Sequence, residues 1–150
     1  MTNFSTQYDL GEAERIGAAI GAALRPGDVI LLSGDLGAGK TTLARAMLKE
    51  RGLAGEAPSP TFAIVQPYAP PEVDLHIAHV DLYRIEDAHE LIELGLDDYL
   101  YDGALLIEWP ERLGEDGWPG ALLLRISGEG DARVLTADVP AAWGARWPLP

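Results

Sequence analysis

Cysteine is absent from these 150 residues, which excludes disulfides and thiolate metal sites. Lysine is almost absent too, with Lys40 and Lys49 the only two. No apolar stretch approaches the ~20 residues needed to span a bilayer. The start, Met1-Thr2-Asn3-Phe4-Ser5, has neither the basic beginning nor the apolar core of a secretory signal. These absences fit a cytoplasmic chain without membrane association. Positive charge is also scarce: 11 Lys and Arg face 24 Asp and Glu, for a formal net charge of −13 and a pI near 4.4. Such a chain repels a phosphate backbone on average, and no basic stripe with interleaved aromatics offsets that. Strong, direct nucleic-acid binding is not expected, so any role in nucleic-acid biology runs through a partner. With 47% hydrophobic residues and a mean hydropathy of +0.01, the chain suits one globular domain over 1–150.

What is present centres on residues 29 to 42. Val29-Ile30-Leu31-Leu32-Ser33 reads as a buried strand, and Gly34-Asp35-Leu36-Gly37-Ala38-Gly39-Lys40-Thr41 fits the phosphate-loop pattern G-x-x-x-x-G-K-[ST], with Thr42 next. The glycines allow a tight turn whose N–H groups aim at anionic oxygens. A helix starting at Lys40 adds its positive end. In this pattern Lys40 reaches the β- and γ-phosphates of a nucleotide and the Thr41 hydroxyl holds Mg2+. The guanine-reading N/T-K-x-D motif is missing, since the other lysine gives Lys49-Glu50-Arg51-Gly52. ATP is favoured over GTP.

Around that centre, the apolar positions of 10–24 predict a helix capped by Asp9. Strands are predicted at 62–68 and 75–80, a short helix from Asp87 to Leu94, a buried strand at 104–107, and a strand pair at 121–127 and 132–138. The tail with Trp143 and Trp147 carries no chemical clue. Residues 53–61 end in Ser59-Pro60-Thr61 and read equally as an ordinary linker or as a switch loop in which Thr61 senses the γ-phosphate or its metal.

Hydrolysis needs an acid for the metal and something to position water. Acids at the ends of buried parallel strands supply these, because such strands finish on one sheet edge. Glu108 follows the apolar run 104–107 and suits the Mg2+ shell. Asp81 follows Ile77-Ala78-His79-Val80 and suits water positioning or γ-phosphate sensing. His79, two residues earlier, reads as a packed or hydrogen-bonded residue. Trp109 is either a core or interface aromatic or a cover over the nucleotide. Arg45, Arg84 and Arg112 are equivalent candidates for a charge-stabilising arginine. Without a secure one, intrinsic hydrolysis is expected to be slow.

Taken together, Gly34–Thr42, Ser59-Pro60-Thr61-Phe62, His79-Val80-Asp81-Leu82-Tyr83-Arg84 and Ile107-Glu108-Trp109-Pro110-Glu111 resemble the TsaE (YjeE) family, in order and spacing, from about residue 10 to 113. The segment after Leu113 is similar only in general character. The resemblance implies an α/β, P-loop NTPase-like fold, three-layer α/β/α, with a mostly parallel central sheet and antiparallel additions. It implies ATP phosphates on the 34–41 backbone and Lys40, Mg2+ at Thr41 and Glu108, catalytic roles for Lys40, Asp81 and Glu108, a switch loop at 59–61, and Trp109 near the nucleotide. It further implies a tRNA-modification ATPase partnered with the TsaB–TsaD complex, which transfers threonylcarbamoyl to adenosine 37 of tRNAs reading A-starting codons. On this reading tRNA is met only through that complex, and the ATPase supports repeated turnover. One departure is Ala13, where the family often places a Thr or Ser against the nucleotide, so no hydroxyl contact is expected there. Two alternatives stay open on residues alone: a small-molecule kinase whose Asp81 deprotonates an acceptor hydroxyl, and a non-catalytic ATP-dependent interaction module.

Overall fold

The uninterrupted apolar run at 29–32 is a strand with no solvent face, and a seven-stranded sheet is built around it. The computed structural model describes residues 2–55, 57–60, 64–115 and 117–149. In chain order the first half contains β1 (Thr2–Asp9), α1 (Ala13–Ala22), β2 (Val29–Ser33), α2 (Lys40–Glu50) and β3 (Val65–Tyr68). Then come β4 (His76–Asp81), α3 (Ala88–Glu93), β5 (Gly103–Glu108), β6 (Leu122–Ser127) and β7 (Ala132–Val139), with short 3-10 turns between some elements. The strand order is β1-β7-β6-β2-β5-β4-β3. β6, β2, β5 and β4 run parallel, while β3, β7 and β1 add antiparallel at the two sides. The expected α/β architecture with a mostly parallel core is therefore the observed one. Among the described residues no helix is long and apolar enough to cross a membrane.

Each sheet face has its own apolar layer. Ile30 and Leu32 of β2 join Ile16 and Ile20 of α1 and Leu43, Met47 and Leu48 of α2 on one side. Val29 and Leu31 join Val80, Leu105 and Ile107 on the other, where Leu91, Leu94, Tyr99 and Leu100 pack from α3 and the turn after it. A fully buried Leu or Ile stabilises the fold by about 1.5–3 kcal/mol, so the two layers hold β2 in place. Gly17 and Gly21 explain how closely α1 meets α2. A Cβ on Gly17 would lie 2.5 Å from that of Ala46, and one on Gly21 would lie 2.7 Å from the Met47 Cα.

Most predicted elements lie where the pattern put them. Asp9 caps the first helical segment through a capping box with Glu12, although its first turn is 3-10 and α1 proper begins at Ala13. Asp87 caps α3 by accepting from the Glu90 backbone N–H, and Gly95 follows with φ of 60°. Phe62 and Ala63, the start of the predicted 62–68 strand, lie outside the described residues. Two features were not anticipated. Thr2–Asp9 forms a strand paired residue for residue with β7, and the tail closes against it. There Trp147 meets Phe4 edge-on at 5.4 Å, Trp143 is buried, and Arg146 forks onto Asp28 at 2.7 and 3.0 Å.

Candidate functional site

Parallel strands β2, β5 and β4 end together, and their ends carry Ser33, Glu108 and Asp81. Asp81 and Glu108 are direct register partners, so the pleat brings both carboxylates to one edge. From Ser33 the chain turns through Gly34–Gly39, with Gly37 at φ of 79° and Gly39 at φ of 112°, and enters α2 at Lys40. Side chains other than glycine rarely adopt those angles. A Cβ on Gly34 would also come within 2.7 Å of the Ile126 carbonyl oxygen of β6. The loop therefore passes close to the sheet before the helix begins.

A cavity of about 230 Å3 lies between that loop and the strand ends. Its lining is Leu36, Gly37, Gly39, Lys40, Thr41, Thr42, Asp81, Glu108 and Trp109. Of the loop residues named from sequence, Gly34, Asp35 and Ala38 stand behind this lining. Gly34 and Asp35 supply carbonyls to Lys40, and Asp35 also accepts from the Ala38 N–H at 3.0 Å. Thr61 lies outside the described residues. The neighbouring Pro60 carbonyl accepts from Ile64 N at 2.7 Å, and the Ile64 carbonyl accepts from Asp81 N at 2.8 Å. A larger hollow of about 570 Å3 opens between α1, α2, Gly55 and Ala57 and, among the described residues, shares only Thr42 with the site. Its cations are engaged, Lys49 with Glu14 and Arg45 Nε with the Ala57 carbonyl. The smaller cavity is the one that brings Lys40, Thr41, Asp81 and Glu108 together.

Lys40 is 5% exposed. Its Nζ donates to the Gly34 carbonyl and, at 2.9 Å, to that of Asp35, and it sits 4.2 Å from the Trp109 ring centroid. Burial pushes its ammonium below the ordinary lysine range, against the pull of the Glu108, Glu111, Asp81 and Asp35 carboxylates. The Thr41 hydroxyl donates to Glu108, 2.8 Å from Oε1 and 2.9 Å from Oε2. Glu108 is 2% exposed and also meets His79 Nε2 at 2.7 Å. The Asp81 carboxylate accepts from the Tyr83 N–H at 2.9 Å, which fixes the turn after β4. Trp109 has φ of 60°, a strained angle for a bulky residue and one of only two such non-glycine positions among the described residues; Ile64 is the other. That angle turns the chain at the end of β5 and sets the indole against the Tyr83 ring, centroids 4.9 Å apart and planes tilted by 51°. Trp109 thus lines the cavity while packing, half-buried, against the apolar layer of Val80 and Ile107.

Other contacts were not read from the sequence. Arg133, on β7, donates from Nε to the Ala38 carbonyl at 3.0 Å and from Nη1 to the Gly130 and Ala132 carbonyls. It ties the phosphate loop to the β6–β7 turn. Its signal was the alternation of β7, where Arg133 holds a buried position in phase with Leu135, Ala137 and Val139. Ser33 donates to Glu111 at 2.7 Å, joining the end of β2 to the 3-10 turn Pro110–Leu113 that follows β5. No arginine lines the cavity among the described residues.

A buried lysine on glycine-rich backbone, a threonine on a buried glutamate and a tryptophan beside the lysine are groups whose chemistry suits an anion with a hard cation next to it. The family model described as "Threonylcarbamoyl adenosine biosynthesis protein TsaE" matches residues 8–135. The chain belongs to the TsaE family. The TsaE of Bacillus subtilis, a tRNA threonylcarbamoyladenosine biosynthesis protein, is 38% identical over 121 residues, 80% of this chain and 74% of that protein. The TsaE of Haemophilus influenzae is 44% identical over 107 residues, 70% of this chain and 66% of that one. The crystal structure of Bacillus subtilis YdiB matches with a TM-score of 0.77 at 29% identity, over 97% of this chain and 91% of that chain. The TsaE match runs beyond Leu113 and into β7, so it includes Arg133 as well as the four motifs.

Proposed function

We propose that this chain is a single-domain, Mg2+-dependent ATPase of tRNA threonylcarbamoyladenosine biosynthesis, acting in the cytoplasm with the TsaB–TsaD complex to support its repeated turnover. One observation carries the reading. The Thr41 hydroxyl of the phosphate loop rests on the buried Glu108 carboxylate, 2.8 and 2.9 Å from its two oxygens. That pairing suits a hard cation, since both groups offer oxygen. Among the described residues no cluster of three or more His, Cys, Asp or Glu forms a metal cage. Mg2+ is commonly held in this way, by one or two protein oxygens together with nucleotide phosphates. When bound, the ion supplies charge neutralisation across the phosphates.

The chain's own residues do the rest. The 34–39 backbone N–H groups and the start of α2 bind phosphate oxygens. Lys40 exchanges the Gly34 and Asp35 carbonyls for those oxygens, and Trp109 above it limits water at the phosphates. Asp81, held by the Tyr83 N–H and paired in register with Glu108, orients the attacking water. With no arginine in the described lining, developing charge falls to Lys40, the backbone and the metal, so the chain alone turns over slowly. A net charge of −13 keeps tRNA with the partner complex. Family membership does not favour the small-molecule kinase alternative.

The test is ATP hydrolysis with Mg2+, first by the chain alone and then with TsaB and TsaD. A slow basal rate raised by about 10³–10⁵-fold is expected, the range for a missing charge-stabilising group supplied in trans. ATP binding without any stimulation by the partners would overturn the partner-activated mechanism.

A further inference from the structure

His79 is fully buried, unlike His76 and His89, and the reading just given leaves it without a role. It precedes Asp81 by two residues, so both side chains leave β4 on the same face. Its Nε2 lies 2.7 Å from Glu108 Oε2, with side-chain exposures of 0% and 3% for the two groups. A carboxylate only accepts, so Nε2 carries the hydrogen and donates it. The other ring nitrogen, Nδ1, is buried and has no hydrogen-bond partner among the described residues. A residue kept for packing alone would not leave that nitrogen unsatisfied, because phenylalanine or leucine fills such space without the cost. What the imidazole adds is one N–H aimed at Glu108.

We infer that His79 is a positioning residue for Glu108. Its Nε2–H holds the carboxylate in the orientation that meets the Thr41 hydroxyl, and so sets how tightly the site takes Mg2+. Glu108 ends a strand, and its side chain has three rotatable bonds. Without His79, only the Thr41 hydroxyl among its observed partners would direct it. The inference rests on the reading of Thr41 and Glu108 as the Mg2+ oxygens.

Binding of a fluorescent ATP analogue, measured across a Mg2+ titration on the full chain, tests it without requiring turnover. His79→Phe keeps a buried ring and removes the donor. His79→Gln places an amide N–H where Nε2 lies, whereas the shorter His79→Asn reaches only the position of Nδ1. The Phe and Asn variants should need about 10–100-fold more Mg2+ for half-maximal tightening, the usual effect of losing an outer partner of a metal ligand. Their affinity for nucleotide without Mg2+ should stay at the wild-type value, and the Gln variant should titrate like wild type. If circular dichroism shows His79→Phe misfolded, the Gln and Asn pair carries the test. A wild-type Mg2+ midpoint in the Asn variant, a Gln variant as impaired as Asn, or an equal loss of Mg2+-free binding would overturn the inference. A wild-type protein showing no Mg2+-dependent tightening would instead overturn the Thr41–Glu108 reading, and the inference with it.

Discussion

Lys40→Ala is expected to lose ATP binding by about 10–100-fold and to abolish measurable hydrolysis, while the fold survives. A hydrogen bond from a charged donor contributes about 1.5–3 kcal/mol, which is that range in affinity. The effect on hydrolysis is larger because the ammonium meets charge that grows in the transition state, where one lost donor costs about 10²–10³-fold. Stability should move differently. Burial holds the Lys40 ammonium below its ordinary pKa, so the folded state binds this proton less readily than the unfolded chain. Such a group destabilises the fold at neutral pH, and the cost is relieved only as pH rises through its folded-state pKa. Removing it should leave the nucleotide-free melting temperature within about 3 °C of wild type or above it, since 1 kcal/mol shifts a chain of this size by about 2–4 °C. The stabilisation that ATP gives wild type should shrink by about 1.4–2.7 kcal/mol at saturating ATP, in step with the lost affinity. Thermal unfolding with and without ATP separates these outcomes. A large drop in the nucleotide-free melting temperature would assign Lys40 to holding the loop through the Gly34 and Asp35 carbonyls instead.

Glu108→Gln is expected to keep nucleotide affinity without Mg2+ and to lose hydrolysis by about 10²–10³-fold, the cost of removing one preorganised charge at the reacting centre. The substitution is nearly isosteric. The amide oxygen can accept from His79 Nε2, and the amide N–H can donate to Thr41, so the local network closes without the charge. What is lost is the negative oxygen pair beside the phosphate loop, and with it the Mg2+ dependence of binding. Single-turnover hydrolysis with bound ATP measures the chemical step directly. A variant that binds ATP and supports tRNA modification at the wild-type rate would show the site to be a non-catalytic nucleotide module.

The sites of these two substitutions were legible from the sequence because their signals are local. Eight consecutive residues define the phosphate loop, and an acid directly after an apolar run marks the end of a buried parallel strand. The parallel register of β4 and β5 then brings Asp81 beside Glu108 without further information. What escaped depended on distant segments. Thr2–Asp9 has too few apolar side chains to read as a strand, and it becomes one because β7 offers eight paired positions. The close α1–α2 contact is written in Gly17 and Gly21, whose meaning emerges only when Ala46 and Met47 lie opposite. The tail looked inert until Arg146 met Asp28 across 118 residues. Arg133 and His79 each occupy a buried strand position, and a buried polar residue asks for a partner that its neighbours in sequence do not name.

If ATP turnover at this loop sustains tRNA modification, the yield of t6A per complex depends on it. TsaB and TsaD, with tRNA and a threonylcarbamoyl donor, would be followed with wild type, with Glu108→Gln, and without this chain. With wild type and ATP, t6A should rise well beyond one per complex. It should stop near one per complex with Glu108→Gln or without the chain. Equal multiple-turnover yields with wild type and with Glu108→Gln would show that hydrolysis at this loop does not drive the repeated modification.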